Sequence, residues 1–285
     1  MKKEDFLGFL PFLFPLWLLP ACDDEVITPV EPQMVVEGWI EDGEFPVVIV
    51  TSTIPLSGES MPMDSLRNYI LRWATVSVSN GGEKVFLTGK YDEGYFPPYV
   101  YTTTRMRGES GKNYTLEVEY RNMKVRAETS IPERPEVKRV WVEKSNTNDT
   151  LFSIKATIVD NPAQKNYYQL FSRVGSRKRQ FQAAYMGSIN DDEMEGTASF
   201  DVRRPREMAL KRKYTPYYFS GDSVAVKISQ VDEKSYLFWN DYTKNLNTGG
   251  NLFFATSDNI RYNVQGGIGS WCGMASHTEY LVIGK

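Results

Sequence analysis

Short runs that alternate with a period of two constrain this chain most. Thr75-Val76-Ser77-Val78-Ser79 and Leu116-Glu117-Val118-Glu119-Tyr120 each place apolar and polar side chains at alternate positions. Successive side chains of an extended chain point to opposite faces, so such runs predict strands with one buried and one wet face. Runs rich in Val, Thr, Tyr or Ile also occur at 34–40, 46–54, 84–88, 99–104 and 123–130. Asn80-Gly81-Gly82 and Arg121-Asn122 stand between runs, where hairpins require positive φ. Strands at this spacing predict a β-sandwich over residues 34–132. Ile131-Pro132-Glu133-Arg134-Pro135 then forms a stiff connector, because Pro fixes φ and cannot donate to a ladder.

A second β-rich region spans 136–285. Its strands are expected at 140–143, 152–159, 167–174, 179–185, 197–202 and 223–230, and Tyr280-Leu281-Val282-Ile283 reads as a continuous apolar, buried closing strand. One helix is expected near 232–247. Asp232 suits its N-cap, and Phe238, Tyr242 and Leu246 recur at i, i+4 and i+8 beside Trp239, giving one apolar face. Asn247-Thr248-Gly249-Gly250 ends it. The fold class is therefore all-β: two β-sandwich-like domains, the second with one short amphipathic helix. No fixed-period repeat points to a solenoid or propeller.

Composition narrows the chemistry. In 285 residues, 33 Lys and Arg face 36 Asp and Glu, a formal net charge of −3. A nucleic-acid partner is not expected, since such binders carry a basic excess. A single His excludes a zinc site built on several histidines. No metal site and no cofactor is expected.

The N-terminus reads as an address. Lys2 and Lys3 precede an apolar stretch from Leu7 to Leu19, too short to span a bilayer and interrupted by Pro11 and Pro15. Residues 1–21 thus read as a signal peptide. Leu19-Pro20-Ala21-Cys22 resembles a lipobox, which implies cleavage before Cys22 and its acylation. Several acyl chains, each CH₂ worth about 0.8 kcal/mol, would hold a soluble body at a membrane. Cys272 then has no intramolecular partner, and no disulfide framework is expected.

Residues 22–33 form an acidic, Pro-containing tether. Its Asp23-Asp24-Glu25 would be repelled by anionic headgroups. The run resembles the signal that sends Bacteroidota lipoproteins to the outer face of the outer membrane. Asp directly after the Cys also resembles an inner-membrane retention signal of other Gram-negative bacteria, and the two readings stand side by side.

Two longer stretches carry a family resemblance. Residues 251–260, Asn-Leu-Phe-Phe-Ala-Thr-Ser-Asp-Asn-Ile, followed by Asn263-Val264-Gln265-Gly266-Gly267-Ile268-Gly269-Ser270-Trp271-Cys272-Gly273, resemble the C-terminal signature of domain-of-unknown-function family 4249. Met34-Val35-Val36-Glu37-Gly38-Trp39-Ile40 with Pro46-Val47-Val48-Ile49-Val50 resembles that family's opening hairpin, and Ala74–Ser79 through Gly111–Leu116 resembles a transthyretin-like or carboxypeptidase-regulatory-like sandwich. The resemblance implies a Bacteroidota outer-membrane lipoprotein encoded beside a TonB-dependent receptor. It brings no catalytic residues.

The candidate sites follow from residue chemistry. Gly266, Gly267, Gly269 and Gly273 lack the Lys-Ser or Lys-Thr ending of a phosphate loop and fit tight turns and close backbone approach instead. Cys272 and His277 would need direct contact and an orienting group to act as a nucleophilic pair. Asp191-Asp192-Glu193 with Glu195 matches no calcium loop and reads as a solvated hairpin tip. Two basic runs stand out in this acidic chain: Arg173 to Arg179, and Arg203, Arg204 and Arg206 continuing to Lys211, Arg212 and Lys213. The second suits an anionic partner. Two aromatic loops suit a ligand or partner surface: Tyr91, Tyr95, Phe96, Tyr99 and Tyr101, and Tyr214, Tyr217 and Tyr218. The expected role is a non-enzymatic accessory or ligand-capture subunit taking an oligosaccharide or peptide beside a receptor barrel. A surface hydrolase and an adhesin or scaffold are the alternatives.

Overall fold

The first half of the chain folds into seven strands: β1 (Met34–Glu41), β2 (Val47–Ser52), β3 (Thr75–Ser79), β4 (Lys84–Tyr91), β5 (Tyr99–Thr102), β6 (Asn113–Tyr120) and β7 (Met123–Ser130). Then come β8 (Glu136–Lys144), β9 (Leu151–Val159), β10 (Tyr167–Val174), β11 (Gln182–Asn190), β12 (Thr197–Asp201), β13 (Tyr218–Phe219) and β14 (Ser223–Val231). Helix α1 (Glu233–Asn247) and strands β15 (Val264–Gln265) and β16 (Ile268–Val282) complete the fold. This computed structural model describes residues 31–54, 63–146, 148–192, 194, 196–206, 214–247 and 260–284. The protein is all-β with two sheets and a single helix among these residues. Cys22, the acidic run after it, residues 248–250 of the expected helix stop and residues 251–259 of the family signature lie outside them.

One sheet has twelve strands, in the order β11-β10-β14-β16-β1-β2-β5-β4-β3-β6-β7-β15. It folds over on itself. Val36, Val48 and Val50 from β1 and β2 meet Val76, Leu116, Val118 and Val125 from β3, β6 and β7 in one core. The alternation in β3 and β6 accounts for this: Val76 and Val78, and Leu116 and Val118, point inward with at most 1% exposure. At the other end a four-stranded sheet, β12-β9-β13 with β8 on β9, packs on the large one. There Ile154, Ala156 and Ile158 of β9 face Tyr168, Leu170, Val224 and Val226 of β10 and β14 in a second core.

Two cores therefore exist, but the boundary expected at Pro132–Pro135 does not divide the chain into two sheets. Pro32–Lys285 forms one unit. The reason is β16, whose 15 residues extend about 50 Å, long enough to run through both halves. Its first part lies parallel to β1, from Val35 opposite Ile268 to Glu41 opposite Met274. Its other edge pairs antiparallel with β14, from Ser223 opposite Val282 to Val231 opposite Met274. Sequence pattern revealed only its last three residues, Tyr280 to Val282, with Ile283 after them, and these four are not uniformly buried. Ile283 is enclosed, whereas Tyr280 and Val282 are exposed.

Helix α1 starts where expected. Asp232 Oδ1 accepts the Ser235 amide at 2.7 Å, and its other oxygen accepts Thr129 Oγ1 at 2.7 Å and the Ser130 amide at 3.1 Å. One carboxylate thus caps the helix and ties it to the end of β7. Near the other end, Asp241 takes a bidentate contact from Arg261, at 2.6 and 2.8 Å. No helix among the described residues is long and apolar enough to cross a membrane.

Candidate functional site

Glu37, Trp39 and Glu41 leave the face of β1 opposite to the buried Val36 and Ile40, because they alternate with them. On the neighbouring strands the same outer face carries Cys272 and Met274 of β16, Lys227 of β14 and Phe171 of β10. These residues floor a cleft of about 860 Å³. Helix α1 bounds it through Trp239, whose ring meets Phe171 edge-on at 5.4 Å. Two turns form the rim: the one after β4, with Asp92 to Tyr95, and the one between β10 and β11, with Arg177 to Phe181. They touch each other. A Cβ on Gly94 would lie 2.6 Å from the Lys178 carbonyl oxygen, so only glycine allows that approach.

Charge in the cleft is unevenly matched. Lys227 Nζ pairs with Glu41 at 2.7 Å, with both side chains largely buried, and lies over the Phe181 ring at 4.7 Å. A buried pair of this kind must be complete, since either ion alone would be desolvated without compensation. Among the described residues Glu37 has no such partner. Its carboxylate accepts a hydrogen bond from Gln180 Nε2 at 3.2 Å, and burial outweighs that bond, raising its pKa from the usual 4.5 to about 6. Its side chain still opens partly on the cleft.

Cys272 lies at the cleft floor but is buried, and burial pushes its thiol up to about 12, with the Asp232 carboxylate acting in the same direction. Ser235 and Trp239 oppose this as side-chain donors toward the sulfur. A thiol so held is almost wholly protonated at neutral pH, the reverse of an activated nucleophile. His277 lies five positions along the same strand, an odd offset that sends the two side chains to opposite faces. Its imidazole sits 3.5 Å from Glu279 instead. The Cys-His pairing is not formed.

The aromatic loops separate into cleft and core. Tyr95 lines the cleft beside Trp39, their rings 6.0 Å apart, and exposed Tyr91 stands at its edge. Phe96 is exposed outside it. Tyr101 belongs to the core at 2% exposure, its hydroxyl bonded to the Leu71 carbonyl, and Tyr99 packs edge-on against it at 5.6 Å. Tyr218 is fully buried and donates to Ser172 Oγ at 3.0 Å. Tyr214 donates to the Arg204 carbonyl at 2.8 Å, and Tyr217 is partly buried beside it. Tyr101 and Tyr218 are thus core residues rather than contacts, because each hydroxyl finds a partner inside the protein and lets the ring be enclosed.

The basic runs also separate. Arg204 is bound to Asp222 at 2.8 Å and Arg203 lies 3.2 Å from the Met186 sulfur, while Arg206 is exposed. Lys211, Arg212 and Lys213 lie outside the described residues. The first run, by contrast, becomes the cleft rim. The acidic segment is a hairpin knot: Asp191 accepts the Asn166 amide and Asp192 pairs with Lys165 at 2.8 Å. Glu193 and Glu195 lie outside the described residues. No group of three or more His, Cys, Asp or Glu side chains converges as a metal site among the described residues.

Sequence reasoning missed Glu37, Gln180 and Lys227. A signal was present for two of them: a carboxylate and a lysine placed inside otherwise apolar strands. Their meeting depends on the β1–β16–β14 register, which no local pattern encodes.

The glycine-rich signature supports the fold as expected. Gly269 has φ 121°, and a Cβ there would collide with the Val36 carbonyl; one on Gly273 would meet the Ser130 carbonyl. Asn263 pairs with both backbone groups of Trp271, at 2.7 and 2.8 Å, and Trp271 is fully buried with Nε1 donating to the Tyr114 carbonyl at 3.2 Å. The signature thus shapes the part of β16 that pairs with β1.

These features define a class: a folded-over β-sheet protein with a mixed aromatic and charged cleft on its outer face. The chain belongs to the family described as a domain of unknown function (DUF4249), whose model matches residues 22–279. No curated protein matches it.

Proposed function

We propose that this protein is a lipid-anchored capture subunit of an outer-membrane transport system, holding a ligand in the β1 cleft for a neighbouring TonB-dependent receptor barrel and performing no chemistry of its own. The observation that carries the reading is the cleft, whose volume of about 860 Å³ falls within the roughly 300–1,000 Å³ of small-molecule sites. Its lining supports binding over catalysis: aromatic faces, an unpaired carboxylate and a guanidinium rim surround a thiol held in its unreactive form. The lipobox at Cys22 supports the anchor, and Asp23, Asp24 and Glu25 support a tether standing away from the lipid toward the cell exterior.

Extraction of the native membrane in mild detergent followed by capture of this protein tests the assignment. A β-barrel receptor should copurify, and Cys22→Ala should release the protein from the membrane fraction. Recovery of the protein alone would overturn the receptor partnership. An unchanged membrane fraction for Cys22→Ala would overturn the anchor.

A further inference from the structure

Beside the acidic rim turn with Asp92 and Glu93, the cleft presents opposite charges at two places. On its floor Glu37 receives a hydrogen bond from Gln180, and among the described residues no cation offsets its burial. Glu41, two residues along the same face, is already neutralised by Lys227. On the rim Arg173 is stacked over Phe181 at 4.3 Å and held by the Arg179 carbonyl at 3.3 Å, with no carboxylate paired to it among the described residues. Lys178 and Arg179 stand exposed in the same turn, directly before Gln180.

We propose that the cleft takes a short peptide with free termini, its ammonium on Glu37 and its carboxylate on the Arg173–Arg179 rim. The proposal rests on the capture reading above and names its ligand class. A neutral oligosaccharide would desolvate both charges as it filled the cleft and pair neither, which is costly. A polyanion would meet Glu37, and a polycation would meet the Arg173–Arg179 side of the rim. A quaternary ammonium offers no N–H to the unspent acceptor sites of Glu37. A primary ammonium supplies that donor, and Trp39 beside it adds a ring face suited to a cation. Tyr95 and Trp239 leave apolar surface for side chains between the two charged ends.

Equilibrium dialysis of the purified protein at neutral pH against synthetic di- to pentapeptides lacking Lys and Arg provides the test. Retained peptides are measured by mass spectrometry for three pools: free termini, N-acetylated and C-amidated. The free pool should be retained, N-acetylation should reduce retention at least tenfold, and amidation should reduce it several-fold. Glu37→Gln should match the acetylation loss, with its thermal midpoint recorded in the same preparation to show that it is folded. No retention of the free pool, or equal retention of the acetylated pool, would overturn the proposal. Copurification with a barrel is read without added peptide, so the two ideas fail separately. A recovered barrel with no peptide retention sinks the ligand class alone; peptide retention with no barrel sinks the partnership alone.

Discussion

Replacing Glu37 with Gln should stabilise this protein, and only above a certain pH. The carboxyl titrates near 6 in the folded chain instead of the usual 4.5. At about 1.36 kcal/mol for each tenfold change in proton affinity, this corresponds to about 2 kcal/mol. The sign follows from proton counting. Between those two pH values the folded chain binds more protons than the unfolded one, so stability falls as pH rises through the interval and is flat beyond it. Gln keeps the shape and can still meet Gln180, but carries no charge. The variant should match the natural protein near pH 4 and exceed it by at most about 2 kcal/mol at pH 8, roughly 4 °C in thermal midpoint for a chain of this size. Denaturant titrations at pH 4, 6 and 8 provide the measurement. A difference independent of pH, or a variant that is less stable at pH 8, would refute the claim that an uncompensated carboxylate sits in the cleft. A site that sacrifices stability for an unpaired charge fits a binding role.

Gly269→Ala should lose about 4 kcal/mol or fail to accumulate as folded protein, because its φ of 121° and the Val36 carbonyl both exclude a side chain; a loss below about 1 kcal/mol would show that β1 and β16 can separate cheaply. Asp232→Ala removes the helix cap and two bonds to β7, for roughly 2 to 3 kcal/mol, seen as a lower denaturant midpoint with unchanged slope. Cys272, buried with its thiol near 12, should resist iodoacetamide at pH 8 in the native protein and react once unfolded. Rapid native alkylation at that position, mapped by mass spectrometry, would contradict the burial.

Several features were legible locally because their causes are local. The strict alternation in β3 and β6 decided which side chains face inward, since a strand exposes its two faces by turns. Asp232 announced a helix start because capping involves groups only three residues apart. Positive φ and crowding at Gly269 follow from a signature that a sequence can carry whole. The aromatic loops were misread in part for the opposite reason. Tyr91 and Tyr101 are alike in composition, but a hydrogen bond to a carbonyl 30 residues away encloses one while the other stays exposed.

The sequence alone determined the strand class, the capped helix and the resemblance to one family, which depend on neighbours within a few residues. The tertiary structure decided that the two halves share a sheet and that a cleft exists at all. Glu37, Gln180 and Lys227 lie 143 and 47 positions apart along the chain, and they line one cleft only because β16 lies parallel to β1 and antiparallel to β14. Parallel pairing between distant segments leaves no short-range trace, since its hydrogen bonds join residues that composition and periodicity treat as unrelated.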